Sequence, residues 1–282
     1  MEVRTVHKPG EPLGTKTFYS DESGFEVASV IITGEKDAAL VDAQWTLSNA
    51  HRVVAELLET GKRLTTIYVS HAHPDHYFGL GPIAAAFPEA RVCAIPSVAA
   101  TINKQFFGKL EHWESVIGPL NVPRQKVDIE PLTDNYFELE GQRIEIITGI
   151  MGDLRYNTVV WVPCIKTLIG SDVLFNQAHP FTCEVTAEER AQWVKDIEDL
   201  EQLGAEVVIP GHQKPGLPFD ATCFTFMKDY LKATEEELAR TETTGDFYYA
   251  MVQRFPDANL FISNTMNAGF FKGGMDWNWR DE

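Results

Sequence analysis

Cationic side chains are scarce in this sequence: 24 lysines and arginines stand against 41 aspartates and glutamates in 282 residues, a net charge of −17. That balance repels a polyanion unless a local basic groove compensates, and none is visible, so a nucleic-acid partner is not expected. Cysteine is scarce as well. Cys93, Cys164, Cys183 and Cys223 are scattered and form no CxxC pair, and a chain of this length needs no disulfide staples, so they read as buried free thiols. No apolar run approaches the roughly 20 residues of a membrane span. The opening MEVRTVHKPGEPLGTKTF also lacks the apolar stretch of a secretory signal, and the expectation is a soluble, cytoplasmic protein without a membrane partner. Repeats and low-complexity linkers are missing too. What is plentiful is apolar material, 44% hydrophobic and 11% aromatic, enough for a large core. The simplest charged partners for such a chain are metal cations.

Along the chain, EVASVIITGEKDAALVDA (26–43) reads as a hairpin around a Gly-Glu-Lys turn, and TLSNAHRVVAELLETG as an amphipathic helix with Gly61 past its end. A β-rich run follows at 64–70, then a helix near 81–87, a strand at 90–96 and a helical stretch over 97–118. This alternation argues for an α/β sheet. Phe106, Phe107 and Trp113 in that stretch either line a pocket or fill the core, the core being the plainer reading. From 136 come four short β-rich runs, YFELEG, QRIEIITG, NTVVWVP and KTLIGSDVLF. Thr186 and Glu189 form a capping box that opens a helix ending at Gly204, and EVVIPGH reads as a further strand. Helices are expected at 221–240 and 246–254, followed by a Gly/Asn-rich tail.

The densest chemistry lies in His71-Ala72-His73-Pro74-Asp75-His76, directly after the strand ending at Ser70. In extended backbone, residues i and i+2 point the same way, so His71 and His73 can grip one ion together. Pro74 then turns the chain and lets Asp75 and His76 face a neighbouring position. Imidazole and carboxylate suit zinc, iron, manganese or cobalt, and no convergent cysteine suggests a purely structural zinc knot. A surface histidine patch without function is the alternative. It is disfavoured because crowded imidazoles without a metal repel one another when charged.

The motif, its place after a strand and the later elements resemble the metallo-β-lactamase-fold superfamily over roughly residues 20–215. The resemblance implies an α/β fold, a four-layer αββα sandwich over 1–215, with 216–282 as a C-terminal helical extension packed on the same domain. It also implies a ligand set. Asp172 in LIGSDVLF corresponds to the bridging Asp and His212 in IPGHQKPG to the final His, so site one would draw on His71, His73 and Asp172, and site two on Asp75, His76, Asp172 and His212. Asp75 would orient or deprotonate the attacking water.

One family ligand is missing, because Ile150 stands where the third site-one histidine is expected. Site one should then be weak or empty and site two the tighter. Asp153 offers a replacement oxygen, although a turn role is the plainer reading. His179 offers a further ligand, a substrate contact or a catalytic proton transfer. Tyr156 and Asn157 are candidate substrate-side donors.

The function implied is a metal-dependent hydrolase, with one or two zinc ions or else iron or manganese, that opens an ester, lactone or thioester bond of a small organic substrate through a metal-activated water. Classical β-lactamase branches are disfavoured, because they carry a Cys or extra His near the bridging position and a secretion signal. A diverged lyase, isomerase, decarboxylase or oxygen-using enzyme is the alternative, and an inactive binding protein a third. The aromatic residues at 106–113 and Trp277 and Trp279 point weakly to an apolar substrate. Self-association is left open.

Overall fold

The structure is a computed structural model that describes residues 1–275. Strands β1 (Glu2–Val6), β2 (Gly14–Tyr19), β3 (Ala28–Thr33) and β4 (Asp37–Val41) run as an antiparallel meander. Helix α1 (Leu47–Thr60) then crosses to β5 (Arg63–Tyr68), which lies parallel to β4. The sequence defines α1 at both ends. The Thr46 side chain accepts from the Asn49 N–H, Val53 and Leu57 turn inward, and Gly61 closes the helix at φ 65°. The short α2 (Pro74–Tyr77) and α3 (Leu80–Ala86) lead to β6 (Arg91–Ala94), and α4 (Pro96–Ile117) leads to β7 (Glu130–Pro131). These seven strands lie in sequence order in one sheet.

The second sheet has the order β12-β11-β10-β9-β8. It is built from β8 (Tyr136–Leu139), β9 (Gln142–Ile150), β10 (Asn157–Val162), β11 (Thr167–Asn176) and β12 (Val207–Gln213), with α5 (Ala187–Glu201) as the crossover between parallel β11 and β12. The capping box at Thr186 and Glu189 opens α5 as expected. Strand β10 is buried on both faces, and its alternation divides two cores. Val160 and Val162 join Ile31, Leu40 and Ile67 between the sheets, whereas Val159 and Trp161 join Trp193 and Phe224 beneath the helices. Helices α1 and α4 contact the first sheet, and α5 and α6 (Thr222–Arg240) the second, giving the αββα sandwich. Polar pins cross the inter-sheet core. Tyr68 Oη lies 2.9 Å from Thr158 Oγ1, and Tyr19 Oη donates to the Pro210 carbonyl at 2.7 Å.

After α6 the chain forms α7 (Thr244–Arg254) and α8 (Phe261–Gly273). Helix α8 corrects the expected Gly/Asn-rich tail. Asn is a poor helix former in isolation, but Asn264 Nδ2 donates to the Tyr248 carbonyl, while Asn267 accepts from the Thr182 N–H and donates to the Pro180 carbonyl. These tertiary bonds offset the weak propensity. Trp277 and Trp279 lie outside the described residues. Cys93, Cys183 and Cys223 are buried free thiols as expected, and Cys164 is only half-buried. Among the described residues no helix is long and apolar enough to cross a membrane.

Candidate metal centre

The loop after β5 carries His71 and His73, and Asp75 and His76 occupy the first turn of α2, whose N1 position is Pro74. Two hydrogen bonds clamp this loop: Thr158 Oγ1 donates to the Ser70 carbonyl at 2.7 Å, and the buried Lys109 Nζ reaches from α4 to the Ala72 carbonyl at 2.8 Å. Asp172 stands in β11 where its register against β12 slips around Ser171, which adopts φ 43°. His212 is in β12 beside it. The intervening Gly211 is required, since a Cβ there would collide with Asp172 Oδ1 and the Ser171 backbone.

Two groups of buried donor atoms converge here, each compact enough to surround one ion. The first is His71, His73, Asp153 and Asp172, and the second is Asp75, His76, Asp172 and His212, with Asp172 common to both. In the first, His73 Nδ1 is 2.7 Å from Asp153 Oδ2 and His71 Nε2 is 3.6 Å from Asp172 Oδ2. In the second, His76 Nε2 is 3.1 Å from Asp172 Oδ1, and His212 Nε2 is 3.2 Å from Asp172 Oδ2 and 3.4 Å from Asp75 Oδ2.

The outer nitrogen of each of these four imidazoles is pinned, and for His76, His212 and His73 an acceptor-only partner assigns a proton to that nitrogen. His76 Nδ1 donates to Asp42 Oδ2 at 2.8 Å, His212 Nδ1 to the Phe25 carbonyl at 2.6 Å, and His73 Nε2 to Glu184 Oε1 at 3.3 Å. His71 Nδ1 lies 3.0 Å and 3.1 Å from the hydroxyls of Ser70 and Ser171. In their neutral forms His76, His212 and His73 therefore turn a lone pair inward, the arrangement found behind metal-ligating histidines. Asp42, at φ 63°, also accepts from the Ser70 N–H and hydroxyl, so its strained backbone is held by three bonds.

A metal would satisfy what the protein leaves open. His71 Nε2, His76 Nε2, Asp153 Oδ2 and Asp172 Oδ1 are buried without a well-aligned hydrogen-bond partner. Among the protein groups alone, burial opposes protonation of His73 and His212, yet the neighbouring carboxylates prevail and raise both to about 10. His71, buried beside His76, is held well below the ordinary imidazole value. Burial pushes Asp153 up to about 7 against the pull of His73. Cations arriving in such a cluster would displace shared protons.

For Asp153 the sequence offers a turn role or a replacement oxygen, and in the structure its carboxylate is fully buried in the first group, where Asn157 Nδ2 donates to Oδ1 at 2.9 Å. Asn157 thus holds a candidate ligand instead of facing substrate, and Tyr156 is exposed. Ile150 ends β9, paired with Asn157, and contributes no donor. His179 lies outside both groups and outside the cleft lining. It is buried with Nδ1 2.8 Å from Tyr230 Oη and its ring against Phe261. The carboxylates behind the histidines, Asp42 and Glu184, were missed, since neither belongs to a motif.

Over the cluster opens a cleft with about 540 Å³ of free space, the solvent at its mouth included, walled by aromatic and aliphatic side chains together with His73, Asp75, Asp153, Asp172 and His212. Trp113 reaches it, whereas Phe106 is core and Phe107 is exposed.

With this geometry in hand, the comparisons with known proteins agree. Residues 23–212 match the model of the metallo-beta-lactamase superfamily, and the chain belongs to that family and carries its metal-dependent hydrolase fold. Two curated relatives are each named metallo-beta-lactamase type 2, one from Bacillus sp. (strain 170) and one from Bacillus cereus. Both are 23% identical over 194 residues, which cover 66% of this chain and 66% and 67% of theirs. The chain thus spans about two-thirds of the length of those relatives. Among solved structures, a metallo-beta-lactamase from Pontibacter korlensis superposes with a TM-score of 0.62 at 18% identity, over 82% of this chain and 99% of that one. FIM-1 from Pseudomonas aeruginosa, in a mono-zinc form, superposes with a TM-score of 0.58 at 14% identity, over 82% and 96%.

Proposed function

We propose that the protein is a metal-dependent hydrolase that opens an ester, lactone or thioester bond of a small organic substrate. The observation that carries this reading is the pair of buried four-donor groups sharing Asp172 at the floor of an apolar cleft. His71, His73, Asp153 and Asp172 would hold one ion, and Asp75, His76, Asp172 and His212 the other. Bound there, zinc, iron or manganese would supply Lewis-acid polarisation of a carbonyl and acidification of water. Asp75, which faces the cleft, would accept the proton of the attacking water and return it to the leaving alkoxide or thiolate, releasing an alcohol or thiol. The apolar walls exclude competing water. His179 is given no part in this step, because it is not among the residues that line the cleft or form either donor group.

A second reading, a diverged non-hydrolytic enzyme, is favoured by one observation: Asp153 makes site one harder and more anionic than a histidine would, which suits iron or manganese over zinc. A cytoplasmic setting and a single domain extended by α6 to α8 belong to the same proposal.

The test is elemental analysis of the purified protein together with hydrolysis of an ester, lactone and thioester panel before and after chelation. About two ions per chain and activity restored by metal are expected. Firmly bound metal without hydrolysis of any panel member would favour the second reading, and a protein that takes up no metal would overturn both.

A further inference from the structure

The cleft above the cluster is assembled from parts of the chain far apart in sequence. Phe25 comes from the β2–β3 connection, Trp45 from the approach to α1, Trp113 from α4, Phe181 from the loop before α5, and Ile262 and Met266 from α8. Phe25 stacks on Trp45 with ring centroids 3.7 Å apart, and the edge of Trp113 meets Trp45 at 5.3 Å. Rings locked against one another form a rigid apolar wall, which binds a complementary group without first losing rotamer freedom. The polar lining consists of Ser263 and the cluster residues His73, Asp75, Asp153, Asp172 and His212. Among the described residues that line the cleft there is no lysine and no arginine.

The charge balance follows from this lining. An anionic substituent lying away from the reacting carbonyl, and so away from the ions that the cluster residues would hold, would sit among rings and methyl groups without a lysine or arginine as counter-charge. An alkyl or aryl substituent would exchange water for the aromatic wall and gain about three- to fourfold in affinity per buried methylene.

We propose that this cleft selects uncharged carbonyl compounds with an apolar side chain and discriminates against substrates that carry a remote carboxylate, as β-lactam antibiotics do. The proposal rests on the hydrolase reading for the reaction, but the recognition itself is a property of the wall and is measured separately from turnover.

The probe is a matched pair of γ-lactones, one with a neutral alkyl side chain and one whose chain of the same length ends in a carboxylate. Binding to the metal-loaded protein is followed by tryptophan emission, to which Trp45 and Trp113 in the wall respond, and hydrolysis is followed in parallel. The neutral member should bind at least tenfold tighter, with affinity climbing three- to fourfold per methylene as the chain lengthens. Met266→Lys should shrink the preference at least tenfold. Ile262→Lys, at a 43% exposed position that tolerates a charge, should shrink it in the same direction and guards against a misfolded first variant. Equal or tighter binding of the carboxylate member, no dependence on chain length, or no binding of either member would overturn the proposal. Selective binding of the neutral member without hydrolysis would uphold it and count against the hydrolase reading alone.

Discussion

The two halves of the candidate metal centre are matched in donors and differ in how they are built. Each presents two imidazoles and two carboxylates, with Asp172 counted in both. Each also has one imidazole backed by a buried carboxylate, His76 by Asp42 and His73 by Glu184. Site two takes its donors from α2, β11 and β12. Site one takes Asp153 from the turn between β9 and β10, where the carboxylate is steadied by Asn157 and the Asp153 N–H donates to the Asp172 carbonyl at 3.3 Å. On the proposed reading, an isoleucine at position 150 would not by itself empty site one, because Asp153, three residues later, brings a carboxylate into the same donor group as His71 and His73. The number and direction of inward lone pairs define such a site, and a motif written in residue types records only one way to supply them.

The most severe way to break this comparison is Asp172→Ala, which takes a donor from both sites at once. Metal content should fall from about two ions per chain to near zero and hydrolysis by at least about a thousandfold. Asp153→Ala separates the halves: about one ion per chain should remain, while Asp153→His should keep two and shift preference toward zinc. Elemental analysis after dialysis reads each result. Two ions retained in Asp153→Ala would show that Asp153 is not a ligand.

The outer partners allow a milder comparison. Glu184→Gln should weaken metal binding at site one, and Asp42→Asn at site two, each by about 10–100-fold, because the ligating imidazole loses the carboxylate that supports its basicity and orientation. A competitive chelator titration resolves the two. Asp42→Asn should be the more disruptive, since Asp42 also holds the Ser70 backbone and hydroxyl at the start of the ligand loop. Equal loss at both sites in either variant would mean that these carboxylates stabilise the whole cluster instead of one ligand each.

Local signals were enough to read much of this architecture. The hairpin of β3 and β4, the caps of α1 at Thr46 and Gly61, the capping box of α5 and the period-two runs of β8 to β11 all carry short-range chemistry that the fold respects. Of the six ligand candidates other than Asp153, His71, His73, Asp75 and His76 were legible from the spacing of one motif, whereas Asp172 and His212 were legible only through the family resemblance. The rest depends on distance in sequence. Asp42 meets His76 across 34 positions and Glu184 meets His73 across 111, and neither has a local pattern to announce it. Helix α8 is invisible for the same reason, since the groups that satisfy Asn264 and Asn267 lie in α7 and the loop after β11. Asp153 was in view but ambiguous, because an aspartate in a Gly-Asp turn fits both roles until the fold shows where its carboxylate points.

The smallest expected effect concerns a histidine that shares the burial of the cluster but not its carboxylates. His73 is raised to about 10 by Asp153 and Glu184 in spite of burial, whereas His179 is buried without an acidic partner and is lowered to about 4. Its Nδ1 lies 2.8 Å from the Tyr230 hydroxyl, and its ring packs against Phe261. A group whose folded pKa lies below its unfolded value of 6.5 takes up its proton more readily in the unfolded chain. Its neutral form therefore favours folding fully above pH 6.5, and that contribution is lost as the pH falls toward 4. The shift corresponds to an upper bound of roughly 3 kcal/mol. His179→Asn keeps an acceptor for Tyr230 but cannot titrate in this range. Denaturant unfolding of the metal-free protein should show wild type losing stability between pH 6.5 and 4 more steeply than the variant, by about 1–3 kcal/mol. Parallel profiles would mean that His179 charges without cost where it sits, and that burial alone does not separate it from the histidines of the cluster.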